Sequence, residues 1–144
     1  MRYLGIDYGL KRLGLAVCDA SRTIVSPLCR LHHDPGNPHR SIREICKIVK
    51  ENEINAFVVG LPLNMDGSEG EQARRTRVFA DQLRRRIDLP VRFQDERLST
   101  AVADEQMNDM NLSPAQRRER RDALAACVIL REFLDAEKNV RPDG

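Results

Sequence analysis

The feature that most constrains the fold is a series of three short, apolar, strand-like segments at the start of the 144-residue chain. They span residues 3–7, 13–19 and 24–31, and only the turn-rich links YGLKR and DASRT separate them. Links this short join antiparallel neighbours, because a parallel connection needs a dozen or more residues. The chain is therefore predicted to begin with an antiparallel meander of three strands.

After the meander, helical and strand patterns alternate. Isoleucines and valine at helical spacing predict a helix over residues 41–53, and NAFVVGLP is typical of a strand buried on both faces. The pattern Ser68-x-x-Glu71 matches a capping box and predicts a second helix that ends near residue 87. PVRFQDE then predicts a fifth strand.

Two further helices are predicted in the last third. RLSTAVADEQMNDM indicates a short helix. Ser113-Pro114-x-Gln116 combines a capping box with proline at the first helical position, and predicts a last helix that reaches about residue 136.

This order of elements predicts one α/β domain over residues 1–144. Its sheet would be mixed and five-stranded, an antiparallel meander followed by parallel strands, with helices on both faces. In such sheets, sites lie at the carboxyl ends of the strands. Asp7, the loop GLPLNMDG and the segment QDERL would all arrive at that edge.

Composition excludes several classes of protein. The four cysteines form no CxxC pair, so neither a disulfide framework nor a thiolate zinc site is indicated. No apolar run approaches the roughly 20 residues of a membrane span, and the N-terminus lacks a signal-peptide pattern. We expect a cytoplasmic protein with reduced cysteines. The histidines His32, His33 and His39 are expected in a solvated polar loop.

Three carboxylates are the candidates for chemistry. Asp7 ends the first strand between two glycines, although an aspartate that starts a tight turn is equally common. Asp95 and Glu96 end the fifth strand, and strand alternation alone does not choose between them. Asp122 lies where the last helix changes from charged to apolar, and it could instead pair with Arg118 or Arg121 on the helix surface.

If they converge, these carboxylates form an oxygen-only cluster. Such clusters suit Mg²⁺ or Mn²⁺, and a pair of such ions can activate water for phosphodiester hydrolysis.

The same residues resemble a known family. LGIDYGLKRLGLAVCD, VVGLPLNMDGSEG, QDERLST and the aspartate before ALAACVIL are similar, over nearly the whole chain, to the YqgF/RuvX family of pre-ribosomal-RNA nucleases, also called Holliday junction resolvases. The resemblance implies a ribonuclease H-like fold. It also implies Asp7, Glu96 and Asp122 as catalytic residues and ligands of the metal. One departure is Ala123, where the family usually has a small polar residue after the helical aspartate.

Other residues are candidates for contact with substrate. Asn64, Asp66 and Gly67 lie in the loop beside the first strand, where turn formation explains them almost as well. The formal net charge is only +2, but the arginines are bunched. Those expected to meet phosphates are Arg74, Arg75, Arg97, Arg117, Arg118 and Arg121.

These features bear on three possible functions. A metal-dependent endonuclease of structured RNA or branched DNA is favoured, with maturation of small-subunit ribosomal RNA as the role that the resemblance implies and ribosomal precursor particles as partners. A sugar kinase or actin-like ATPase would need a second lobe, for which 144 residues leave no room. A non-catalytic RNA-binding factor for ribosome assembly, with a retained carboxylate site, is the alternative.

Overall fold

A computed structural model of the chain describes residues 1–96 and 113–140, and these contain five strands and three helices. The strands are β1 (Tyr3–Tyr8), β2 (Arg12–Cys18), β3 (Val25–His32), β4 (Ala56–Leu61) and β5 (Val91–Asp95). The helices are α1 (His39–Glu51), α2 (Glu71–Arg86) and α3 (Pro114–Val140). The short helix predicted from RLSTAVADEQMNDM lies outside the described residues.

The strands form one mixed sheet in the order β3-β2-β1-β4-β5. The first three strands pair antiparallel, whereas β4 runs parallel to both β1 and β5. The predicted meander followed by parallel strands is therefore confirmed. Because β1 is central, the residues at its carboxyl end lie between the two halves of the sheet.

Helices cover both faces of the sheet, as predicted. Leu4 and Ile6 of β1 belong to the core that the residues of α1 and α2 share, and Tyr3 belongs to the core under α3. Since side chains alternate along a strand, Asp7 points to the same side as Tyr3. The carboxylate at the end of β1 therefore faces α3.

Helix α3 lies unusually close to the sheet because glycines line the strands beneath it. A Cβ atom on Gly5 would come within 3.1 Å of the carbonyl oxygen of Ala126. A Cβ atom on Gly14 would overlap the carbonyl oxygen of Asp122. The small residues fix where the helix crosses, and they hold Asp122 directly over β2.

The two predicted capping boxes had different outcomes. In α3 the Ser113 N–H donates to Gln116 Oε1 (3.0 Å) and the Gln116 N–H donates to Ser113 Oγ (3.2 Å), so this box is confirmed. The helix continues to Val140, beyond the predicted end near residue 136. The box at Ser68 is wrong, because Ser68 Oγ donates to Asp66 Oδ1 (2.6 Å) within the loop and α2 begins after Gly70.

One histidine departs from the predicted solvated loop. His33 is buried, its Nδ1 lies 2.8 Å from Ser41 Oγ, and its ring packs edge-on against Tyr8 and Phe79. The α1 segment returns to cover this ring, a long-range contact that local polarity does not reveal.

The cysteines agree with the prediction. Cys18 and Cys127 are buried free thiols, and Cys29 and Cys46 are free and partly buried. Within residues 1–96 and 113–140, no helix has the length and apolar character needed to cross a membrane.

Candidate active site

The carboxyl groups of Asp7 and Glu96 meet at one edge of the sheet. Asp7 is the next-to-last residue of β1, and Glu96 directly follows β5, where its N–H donates to the carbonyl oxygen of Leu61 (3.2 Å). The two side chains are joined by a hydrogen bond. Strand alternation left Asp95 and Glu96 open, and the structure brings Glu96 to Asp7.

The environment of Asp7 favours its protonated form. Burial raises the pKa of Asp7 to about 6, and the negative charge of Asp122 acts in the same direction. The hydrogen bond with Glu96 and the charge of Arg121 act to lower it. A hydrogen bond between two carboxyl groups requires a proton on one of them. Ionisation of both groups at once is therefore unfavourable in the absence of a cation.

Gly60 provides the space for the Glu96 carboxyl group. A Cβ atom on Gly60 would lie 2.7 Å from Glu96 Oε2 and 2.5 Å from Ile129 Cδ1. Any larger residue at this position of β4 would push the carboxyl group or the isoleucine aside.

Asp122 is directed toward the other half of the sheet. Its Oδ2 lies 3.4 Å from Arg12 Nε and 3.9 Å from an Arg30 guanidinium nitrogen. This oxygen is buried, and among residues 1–96 and 113–140 no group makes a hydrogen bond to it. Burial raises the pKa of Asp122, although Arg12, Arg30 and Arg121 act to lower it. Arg12 and Arg30 of the sheet thus form ion pairs with Asp122, and the sequence analysis had left open pairing with Arg118 or Arg121 of the helix as an alternative.

The predicted carboxylate trio is therefore assembled in part. Asp7 and Glu96 are in contact, and Asp122 is near enough for its charge to raise the pKa of Asp7. Among residues 1–96 and 113–140, however, no three His, Cys, Asp or Glu side chains are grouped so as to hold a metal ion. In the structure Asp122 lies beside Arg12 and Arg30 instead.

The loop after β4 is held by its own hydrogen bonds. The Gly67 N–H donates to the carbonyl oxygen of Asn64 (2.8 Å), and Gly67 has a φ of +88°, which favours glycine. Asn64 Nδ2 donates to Ser68 Oγ (3.0 Å), and Asp66 accepts from the Ser68 N–H (2.9 Å). These contacts give all three predicted loop residues a role in the turn.

The predicted phosphate-binding arginines have different surroundings. Arg74 and Arg75 form exposed ion pairs with Glu71. Arg118 and Arg121 are exposed on the first turns of α3, where Arg117 is partly buried. The charge of Arg121 acts on both Asp7 and Asp122, which places this arginine beside the carboxylates. Arg97 lies outside the described residues.

Two residues at this site were not predicted from the sequence. Arg12 is part of the turn-like segment LKR, and Arg30 lies in a strand. The residues around Arg30 do not indicate a functional site. Arg30 and Arg120 also line a groove of about 460 Å³ between β3 and the start of α3. Arg12 and Gly14 are two residues apart on β2 and therefore point to the same face of the sheet. Arg12 could have been predicted to lie beneath α3 only if the point where the helix crosses the sheet had been known.

Comparison with known proteins identifies the relatives of the chain. A protein from Roseiflexus sp. (strain RS-1), named "Putative pre-16S rRNA nuclease", is 39% identical over 137 residues, which cover 95% of this chain and 96% of that protein. A protein of the same name from Anaeromyxobacter sp. (strain Fw109-5) is 44% identical and covers 94% of this chain and 97% of its own length.

Solved structures share the fold at low identity. Thermus thermophilus RuvC in complex with a Holliday junction substrate superposes with a TM-score of 0.58 at 16% identity, covering 95% of this chain and 96% of that one. The fowlpox virus resolvase bound to Holliday junction DNA gives a TM-score of 0.53 at 11% identity, with 94% and 98% covered. The ribonuclease H-like fold is thereby confirmed.

The family assignment rests on nearly the whole length of the chain. The family model described as "RuvX: Holliday junction resolvase" matches residues 1–136. Together with relatives at about 40% identity over the same span, this match shows that the chain belongs to the RuvX family.

Proposed function

We propose that this chain is a metal-dependent endonuclease that cleaves structured nucleic acid, with precursor small-subunit ribosomal RNA as its cellular substrate. The family and the names of the relatives indicate a nuclease, a hydrolase of phosphodiester bonds. The relatives are named for pre-16S rRNA, whereas the family description names the Holliday junction, so branched DNA is the second substrate to test.

The observation that carries the proposal is the contact between Asp7 and Glu96 over Gly60. Two partly buried carboxyl groups in contact are unfavourable as a pair of anions, and a divalent cation would relieve their repulsion. The donor set consists of carboxylate oxygens, which suit Mg²⁺ or Mn²⁺. Asp122 Oδ2, to which no group within residues 1–96 and 113–140 donates a hydrogen bond, is a third carboxylate oxygen, and the charge of Asp122 acts on Asp7.

In this proposal Asp7, Glu96 and Asp122 hold the cations, expected to be two. Bound divalent cations supply activation of water and stabilisation of the phosphodiester oxyanions.

Binding of the substrate is assigned to the basic residues around the site. Arg121 lies beside the carboxylates, and Arg117 and Arg118 extend the same helix start. Arg74 and Arg75 lie on α2 near the ring of Tyr8, and Arg97 follows Glu96 in sequence. Asn64, Asp66 and Gly67 would shape the loop that lies beside the bound strand of nucleic acid.

Cleavage assays test this proposal directly. The purified chain is incubated with a precursor small-subunit ribosomal RNA or with a four-way DNA junction, each in Mn²⁺, Mg²⁺ or chelator. Cleavage that requires the cation and is lost in Asp7→Asn supports the proposal. Binding of RNA without cleavage in any cation would instead indicate the non-catalytic assembly factor.

A further inference from the structure

Asp122 stands between two alternative partners in one row of the sheet. The pairing register places Asp7 of β1 opposite Gly14 of β2, and Gly14 opposite Arg30 of β3. Residues opposite each other in a sheet point to the same face. With neighbouring strands about 4.8 Å apart, Asp7 and Arg30 lie roughly 10 Å from each other.

The backbone of Asp122 rests on the middle position of this row. Gly14 has no side chain, and the carbonyl group of Asp122 occupies the space that a Cβ atom would fill. The Asp122 side chain therefore starts midway between Asp7 and Arg30. A change of side-chain rotamer is the movement that would carry its carboxylate from one side to the other.

In the structure the carboxylate is on the arginine side. Arg12 and Arg30 both contact Oδ2, but at 3.4 Å and 3.9 Å, and that oxygen makes no hydrogen bond with either. Hydrogen bonds between guanidinium and carboxylate groups normally measure about 2.7–2.9 Å. The arginines thus neutralise Asp122 without binding it tightly, a contact that is easily exchanged.

One of the two arginines, Arg30, also borders a groove. Arg30 lines the groove between β3 and α3 together with Arg120 and Gln116. This groove borders the site on the side away from Glu96, and two guanidinium groups give it the charge that a phosphate backbone requires.

We propose that Arg12 and Arg30 hold Asp122 away from the metal site until cation and nucleic acid arrive, and then bind the phosphates next to the scissile bond. This inference rests on the proposed function. It adds Arg12 and Arg30 as substrate-binding residues. It also implies that in the free protein the third carboxylate, Asp122, is kept away from the metal site.

Metal binding by the free protein distinguishes this exchange from a simple supporting role. If the arginines compete with the cation for Asp122, replacing either with alanine should tighten Mn²⁺ binding. The expected gain is about two- to fivefold, the size of a partly exposed ion pair. If the arginines instead support Asp122 as a ligand, the same replacements should weaken Mn²⁺ binding.

The experiment combines two measurements on each variant. Calorimetry measures Mn²⁺ binding to the wild-type chain, Arg12→Ala, Arg30→Ala and Arg30→Lys. Fluorescence anisotropy measures binding of a four-way DNA junction in Ca²⁺. Arg84→Ala is the matched control, since Arg84 has the same side-chain exposure as Arg12 (45%) and pairs with Asp81 on α2. Melting temperatures verify folding.

The expected result is opposite changes in the two affinities. Arg30→Ala should bind Mn²⁺ more tightly and the junction more weakly, Arg30→Lys should lie closer to the wild type in both, and Arg84→Ala should change neither. Weaker or unchanged Mn²⁺ binding in both alanine variants, or unchanged junction binding, overturns the exchange alone. A wild-type chain that binds no Mn²⁺ overturns the proposed function, and the exchange with it.

Discussion

The carboxyl group of Glu96 occupies the space beside Gly60 that a side chain would fill, with Oε2 placed 2.7 Å from where a Cβ atom would lie. The neighbours of that missing atom are the ends of two flexible side chains, Glu96 and Ile129. A substitution at Gly60 is therefore expected to impair function more than it lowers stability.

Gly60→Ala should separate these two properties. We expect a destabilisation of about 1 kcal/mol, because the flexible ends can move, and a loss of Mn²⁺ affinity and cleavage of tenfold or more, because Glu96 no longer meets Asp7. Calorimetry and thermal unfolding check this. Gly36→Ala is the control, since its Cβ would make ordinary contact with Asp34 at 3.4 Å. Wild-type Mn²⁺ affinity in Gly60→Ala would contradict the role of Glu96.

Gly14→Ala should have the reverse effect, with stability lost first. Its Cβ would overlap the backbone of Asp122, and a helix backbone cannot yield as a side chain does. We expect destabilisation at or above the upper end of the roughly 1–3 kcal/mol typical of overpacking. Urea unfolding measures it. A variant as stable as Gly60→Ala would show that α3 does not rest on Gly14.

Asp7→Asn should abolish cleavage without weakening the fold. The folded pKa of about 6 lies above the ordinary 3.8, so the metal-free protein loses stability as pH rises through that interval. Removing the carboxylate should leave the free energy of unfolding at pH 7 unchanged or raise it, by at most about 3 kcal/mol. Denaturation in chelator and the cleavage assay measure the two effects.

Two matched variants test which carboxylates form the pair. Glu96→Gln should behave like Asp7→Asn, whereas Asp95→Asn should be much milder. Normal cleavage by Asp7→Asn would rule out a catalytic role for Asp7. A larger loss of cleavage in Asp95→Asn than in Glu96→Gln would show that Asp95, and not Glu96, is the catalytic member of that pair.

Much of the fold was predictable because it depends on local patterns. The short links at residues 8–12 and 19–23 require antiparallel neighbours, and the Ser113–Gln116 box is satisfied by four consecutive residues. The box at Ser68 was predicted by the same reasoning and was wrong. A competing local acceptor, Asp66, binds the serine, and sequence spacing does not rank two such partners.

The site was less predictable because it depends on where α3 crosses the sheet. Asp7 was identified as a candidate from its position at a strand end, and Asp122 from the change of the last helix from charged to apolar, but the partners of Asp122 come from β2 and β3. Those contacts follow from Gly14, which sets the depth of the helix. A glycine in a strand has several possible explanations, so Gly14 alone does not predict a close helix crossing. Without that crossing, nothing in the sequence indicates that Arg12 and Arg30 contact Asp122.

The buried His33 should make stability depend on pH. Burial lowers the pKa of His33 below its ordinary 6.5, so the unfolded chain binds more protons than the folded one as pH falls through that value. The contribution of this residue is fully present above pH 6.5 and is lost below it. The difference in unfolding free energy between the wild type and His33→Gln, measured in chelator, should shrink as the pH falls from 7.5 to 5.5. A constant difference would contradict this.

The start of α3 should carry a larger share of nucleic-acid binding than its later turns. Arg121 acts electrostatically on both Asp7 and Asp122, whereas Arg131 lies ten residues further on, about 15 Å along the helix, and donates to the carbonyl oxygen of Val25. Arg121→Ala should weaken junction binding in Ca²⁺ without regard to sequence. It should also reduce the slope of log affinity against log salt by roughly one for each lost phosphate contact.

Arg131→Ala is the control on the same helix and should leave both the affinity and the salt slope unchanged. Single replacements of Arg117 and Arg118 extend the test around the helix start, since at about 100° per residue these side chains cannot all face one strand of nucleic acid. If all three replacements at the helix start match Arg131→Ala, this basic run is a solvated face. The substrate must then approach over α2, where Arg74 and Arg75 would be the residues to replace next.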